Sequence, residues 1–193
     1  MIDYLASLNT SLFLSLHSLV GQSAFFDFIV YAFSDAVGLA LIFFILVIIL
    51  FREGGWRKGA RRVLETFFPV LLALFYTELL KRLFQAPRPE YVFGDFTPLF
   101  EFGGLDSFPS GHATVYSALA LSVFYYDKRL GIIAFIFALA ISLSRVIAGV
   151  HFPIDIIAGL FIGASFAYLF AKTIGLNSKL QAPNHKQIQN HKF

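Results

Sequence analysis

The chain has 193 residues, of which 58% are apolar and only 14% charged, and its mean hydropathy is +0.73. That balance exceeds what a water-soluble domain of this size carries and makes the bilayer the expected solvent. A net charge of +3 confined to short segments between apolar runs excludes a nucleic-acid-binding stripe, and the absence of cysteine removes disulfides, thiolate nucleophiles and Cys-based metal centres.

The first residues lack the basic region and small-residue cleavage pattern of a secretory signal and are expected to stay in the mature chain. Leu5, Leu8, Leu12, Leu16 and Leu19 recur at helical spacing beside Ser and Asn. This pattern predicts an N-terminal interfacial or partly membrane-embedded helix over residues 1–22, with a membrane span over 10–30 as the alternative. Apolar runs follow at 31–51, 62–84, 130–148 and 154–173, each near the ~20 residues needed to cross a hydrocarbon core of ~30 Å. A shorter run covers 110–126. Backbone in lipid must satisfy its own hydrogen bonds, and the period-2 alternation of a barrel is missing, so all five read as helices. The predicted fold class is therefore all-α, a polytopic membrane bundle of five or six spans. Residues 23–175 would form the membrane domain and 176–193 a polar tail. Asp35 falls at a predicted helix break after Ser34, which it is expected to cap.

Arg52, Arg57, Lys58, Arg61 and Arg62 crowd one short loop, which the positive-inside rule places in the cytoplasm. Alternation of the spans puts Asp127, Lys128, Arg129 and the tail, with Lys172, Lys179, Lys186 and Lys192, on the same side. The long loop 85–109, carrying Glu90, Asp95, Glu101 and Asp106, and the short turn 149–153 then lie on the opposite side. The expected location is a bacterial cytoplasmic (inner) membrane, with a cytoplasmic C-terminus.

On this topology the unusual polar residues converge. Lys81 lies near the exit of one span, His112 inside the entrance of the next, Ser144 and Arg145 near an exit, and His151 and Asp155 at an entrance, all on the non-cytoplasmic side. Ionisable groups at membrane depth are costly, so several at one level imply a site. Lys81, Arg88 and Arg145 with few carboxylates nearby call for an anion, and a phosphoryl group suits a mixture of planar guanidinium forks and a compact ammonium. In Pro109-Ser110-Gly111-His112 a helix start adds a hydroxyl, backbone N–H groups and a glycine that permits close approach. His151 and Asp155 stand four residues apart, about one helical turn, with Pro153 opening the helix between them. A carboxylate holding one imidazole nitrogen leaves the other free to attack phosphorus, and His112 on a separate helix is placed to protonate the leaving oxygen.

KRLFQAPRP (81–89) fits a K-x6-R-P motif, PSGH (109–112) a second, and SRVIAGVHFPID (144–155) an S-R-x5-H-x3-D pattern. In spacing and order the chain resembles the type 2 phosphatidic-acid phosphatase family over roughly residues 31–173, a family whose active site is shared with vanadium-dependent haloperoxidases. The resemblance implies that Lys81, Arg88, Ser110, Gly111 and Arg145 bind phosphoryl oxygens, that His112 is the general acid, and that His151 forms a phosphohistidine oriented by Asp155. It also implies no metal and no cofactor, in keeping with the lack of a carboxylate cluster for magnesium.

Other readings are plainer. Arg82 reads as a snorkelling residue, Glu78 as a helix partner of Lys81 and Arg82 with substrate selection as a secondary role, and His17, His185 and His191 as solvated or interfacial. The 85–109 loop, with Gly94, Gly103 and Gly104, is expected to act as a lid or headgroup selector. The expected activity is removal of the terminal phosphate of a lipid phosphate or diphosphate within the bilayer, with undecaprenyl diphosphate as the favoured substrate by analogy. Phosphatidylglycerophosphate, phosphatidic acid and lipid A 1-phosphate are alternatives, as are phosphotransfer to a lipid and, from another class, anion transport.

Overall fold

The computed structural model describes residues 1–93, 96–100 and 106–176. The expectations placed on Gly94, Asp95, Glu101, Gly103, Gly104 and the tail beyond 176, including Lys179, His185, Lys186, His191 and Lys192, lie outside the described residues. Among the described residues, eight helices follow one another: α1 (Ile2–His17), α2 (Ala24–Ser34), α3 (Ala36–Arg52), α4 (Trp56–Phe84), α5 (Pro89–Val92), α6 (Gly111–Phe124), α7 (Lys128–Ile147) and α8 (Pro153–Thr173).

Among the described residues, the run Trp56–Val92 that contains α4, together with α7 and α8, is long and apolar enough to cross a bilayer. The pair α2 and α3, bent by 45° at their break, is long and apolar enough only when the two helices are taken together. The break falls at Asp35, as expected, but the Asp35 side chain makes no capping hydrogen bond to α3. No single helix forms over 10–30, because the chain turns between α1 and α2, where Gly21 (φ +82°) donates its N–H to the Asp27 carboxylate at 3.1 Å.

At 14 residues, α6 is about 21 Å long and falls short of a hydrocarbon core. It is instead the centre of the bundle, packed by α4, α7 and α8 and buried through Ala113, Thr114, Ser117, Ala118 and Ala120. Small side chains let these helices approach closely. Gly159 and Gly163 on α8 form the matching groove. A methyl at Gly163 would sit 2.1 Å from the carbonyl oxygen of Thr114, and one at Gly159 would sit 2.5 Å from that of Ser110. Core packing thus fixes the register of α6 against α8, and with it the spacing of the residues at their N-terminal ends.

Most of the α1 leucines point outward, but Phe13 is fully buried among Phe93, Phe96 and Phe152. His17 is half-buried. Its Nδ1 lies 2.8 Å from the carbonyl oxygen of Ile147 and its ring packs 4.3 Å from that of Phe96, because α1 closes over the α7–α8 turn. The same approach requires Gly149 in that turn: its φ is +86°, and a Cβ there would meet Phe96 at 2.5 Å. Asn9 also contributes, its Oδ1 accepting the Ile154 N–H at 3.0 Å at the start of α8.

Candidate active site

Each site residue is delivered by a helix end or by the chain entering one. Lys81 sits in the last turn of α4, which stops where Gln85 adopts a left-handed conformation (φ 45°) and sends the chain toward Arg88. His112 is in the first turn of α6, Arg145 in the last turn of α7, and Asp155 at the third position of α8, after Pro153 has opened that helix. The Asp155 carboxylate also accepts the Phe152 N–H at 2.8 Å, so the residue beside His151 doubles as a helix cap.

These ends enclose a cavity of about 280 Å³ lined by Lys81, Gly111, His112 and His151 together with Leu74, Glu78, Val115 and Tyr116. Four of the eight predicted residues therefore face one space. Arg88 and Arg145 are fully buried and do not line it. Arg88 donates to the Val150 carbonyl oxygen at 3.0 Å and to Asp106 Oδ1 at 3.1 Å, while Arg145 donates to the Ser34 carbonyl oxygen at 3.1 Å. Both lie close enough to act electrostatically on His112 and His151. Ser110 is buried, and its Oγ has no hydrogen-bond partner among the described residues. Its N–H is not available to a ligand, since it donates to the Asp155 carbonyl oxygen at 3.0 Å. A Cβ at Gly111 would come within 3.8 Å of Lys81 Nζ, so glycine keeps the start of α6 open beside that ammonium.

His151 is 2% exposed, and its Nδ1 lies 3.4 Å from Asp155 Oδ2. Burial pulls its pKa down to about 4, against the opposing hydrogen bond and charge of Asp155 and reinforced by Arg88 and Arg145. Burial thus favours the neutral imidazole, with Nδ1 directed to the carboxylate.

Two residues, Asp106 and Ser107, carry no functional mark in the sequence. Asp106 bridges two cations, 3.1 Å from Arg88 and 3.8 Å from Lys81, and Glu78 stands 3.4 Å from Lys81. The expectation of cations with few carboxylates nearby is thus incorrect, because the loop residue Asp106 folds back onto them. Ser107, 1% exposed, donates to Asp155 Oδ2 at 2.6 Å and lies 3.4 Å from His151 Nδ1. A small polar residue in a loop carries no spacing signal that would have marked it. Glu78 does pair with Lys81 as expected, and it also lines the cavity.

The family model described as the PAP2 superfamily matches residues 62–179. The lipid A 1-phosphatase of Rhizobium johnstonii is 36% identical over 111 residues, which are 54% of this chain and 45% of that protein. The chain thus spans less than half the length of that relative. The undecaprenyl-diphosphatase BcrC of Bacillus subtilis is 25% identical over 163 residues, 84% of this chain and 82% of that protein. The crystal structure of Aquifex aeolicus LpxE is similar with a TM-score of 0.71 at 28% identity, covering 86% of this chain and 95% of the other. With these matches, the apolar helices mark an integral membrane protein built as an all-α bundle.

Proposed function

The chain belongs to the PAP2 superfamily, and from that premise we propose that it is a membrane lipid phosphatase working through a phosphohistidine on His151. The observation that carries the reading is the single cavity on which Lys81, His112 and His151 converge, with Asp155 behind His151. A lipid phosphate enters with its chain left in the bilayer. His151 Nε2 attacks phosphorus, the P–O bond to the lipid or to its remaining phosphate breaks, and His112, which takes up a proton once the anionic phosphate offsets the cations around it, protonates the departing oxygen. The charge forming on the ring is met by Asp155. Water, losing its proton to His112, then attacks phosphorus and breaks the P–N bond, releasing inorganic phosphate. Lys81 holds phosphoryl oxygens in the cavity, Gly111 gives them room, and Arg88, Ser110 and Arg145 supply charge and polarity from behind it. These cations take the part that a metal plays in other phosphatases, so turnover is proposed to be metal-independent and to need no cofactor.

The favoured substrate is undecaprenyl diphosphate, supported by the similarity to BcrC along most of both chains. The higher identity of the Rhizobium johnstonii lipid A 1-phosphatase favours a lipid A 1-phosphate as the second reading. The site is proposed to open on the non-cytoplasmic face, because the basic loop around Arg57 lies at the far end of α4 from Lys81. Phosphate release by purified protein in detergent, with EDTA present, from prenyl diphosphates, lipid A and glycerophospholipid phosphates tests the proposal. Release from one of these classes is expected; no release from any of them, or release only with added magnesium, would contradict it.

A further inference from the structure

The segment 106–110 contacts Lys81, Arg88, His151 and Asp155 of the candidate site. Asp106 pairs with Arg88 and Lys81, Ser107 donates its N–H to the Ala86 carbonyl oxygen at 2.9 Å, and the Ser110 N–H donates to the Asp155 carbonyl oxygen. At its centre the Ser107 hydroxyl makes the shortest contact with the Asp155 carboxylate, at 2.6 Å, while His151 Nδ1 stands off at 3.4 Å from both Asp155 Oδ2 and Ser107 Oγ. A hydrogen bond of 2.6 Å to an ionised oxygen is strong, whereas 3.4 Å is beyond the usual N–H···O range. In this resting arrangement the carboxylate oxygen facing His151 is held by Ser107 and by the Phe152 N–H.

We propose that Ser107 is a positioning residue for the proposed phosphoryl transfer, fixing Asp155 and sharing its negative charge so that His151 stays a neutral nucleophile until it is phosphorylated. With two donors already on Asp155 Oδ2, the carboxylate pulls only weakly on the resting ring. When phosphorylation makes the ring cationic, the Nδ1–H bond to the prepositioned carboxylate tightens without rearrangement of Asp155. The hydroxyl thus separates the two demands placed on Asp155, a weak hold before transfer and a strong one after it. It also ties the segment 106–110 to the reacting pair.

The inference rests on His151 being the nucleophile, and its test is chosen to read the ring without turnover. The groups acting on His151 are Asp155 from α8, Arg145 from α7, Arg88 from the segment after α4 and His112 from α6. Removing the Ser107 donor leaves these in place and frees Asp155 to press on Nδ1–H. In Ser107→Ala, the His151 titration followed by ¹⁵N NMR in detergent is expected to move to higher pH. Ser107→Cys, close in size and a weak donor, is expected to move it in the same direction, which keeps the test valid if the Ala variant fails to fold. On a hydrolysed lipid phosphate, kcat is expected to fall about 10- to 100-fold with KM changed less than about 3-fold. In an Asp155→Asn background, Ser107→Ala should add little. An unmoved His151 titration in both variants, or an undiminished Ser107 effect in the Asp155→Asn background, would overturn the inference. A wild-type protein inactive on every lipid phosphate would instead overturn the proposed function.

Discussion

The Nη1 of Arg145 donates to the main-chain carbonyl oxygen of Ser34 at 3.1 Å, joining the end of α7 to the break between α2 and α3. The last carbonyls of a helix lack intrahelical N–H partners, so the break at Asp35 supplies an acceptor where a continuous span would have none. Ser34 Oγ adds a bond to Ser144 Oγ at 3.1 Å. A helix outside the family-matched region therefore holds a guanidinium within it.

Lysine at 145 keeps the charge but loses the fork that reaches Ser34, so Arg145→Lys is expected to lower kcat/KM for lipid phosphate about 100-fold. Ser34→Ala keeps the main-chain acceptor and should stay within about 3-fold of wild type. Phosphate release by the two variants checks the contrast. Equal losses would show that the side chain of Ser34, not its carbonyl, is what matters.

The His151 ring is expected to titrate near pH 4 in the ligand-free protein, and lower still in Asp155→Asn, because Asp155 is the group holding the value up. Between pH 4 and 6.5 the unfolded chain binds a proton at this position that the folded protein does not, so folding gains stability as pH rises through that window. The contribution, on the order of 3 kcal/mol, is fully present above pH 6.5 and lost by about pH 4. Titration by NMR and unfolding in mixed detergent at the two ends of the window measure both.

Much of the site could be read because its residues sit at fixed offsets on helix ends. One turn separates His151 from Asp155, and the K-x6-R-P spacing carries Lys81 and Arg88 around the end of α4. Those local constraints survive folding almost unchanged. Asp106 and Ser107 were not legible, because their roles arise when a loop folds back over helices distant in sequence, bringing Ser107 to a residue 48 positions away. The docking of α1 was hidden for a similar reason: its leucine stripe signals a lipid-facing surface, while the contact is made by Phe13 and His17 against aromatic residues that no periodicity marks. The bend at Asp35 was visible as a charge within an apolar run, but its use by Arg145 was not.

The α6–α8 contact predicts the cost of a single methyl. Gly163→Ala would place a Cβ 2.1 Å from the Thr114 carbonyl oxygen and 2.2 Å from Ser117 Oγ, both in the packed interior. Destabilisation of about 1–3 kcal/mol is expected, with reduced activity as His112 moves relative to His151. Thermal unfolding in detergent reads the first effect and phosphate release the second.

Absence of cysteine makes the orientation directly measurable. Trp56 and Tyr91 are both exposed and stand on opposite sides in the proposed topology. In right-side-out vesicles a membrane-impermeant maleimide should label Tyr91→Cys, and should label Trp56→Cys only after permeabilisation. The reverse pattern would place the cavity on the cytoplasmic face.

The proposed reaction depends most on attack by His151 Nε2 on phosphorus. Rapid mixing with a hydrolysed lipid phosphate, alkaline quenching and peptide mass spectrometry should find a phosphoryl group on the peptide containing His151, absent in His151→Ala, which should also release no phosphate while keeping its helical content. A phosphoryl group on another residue, or substantial turnover by His151→Ala, would contradict it.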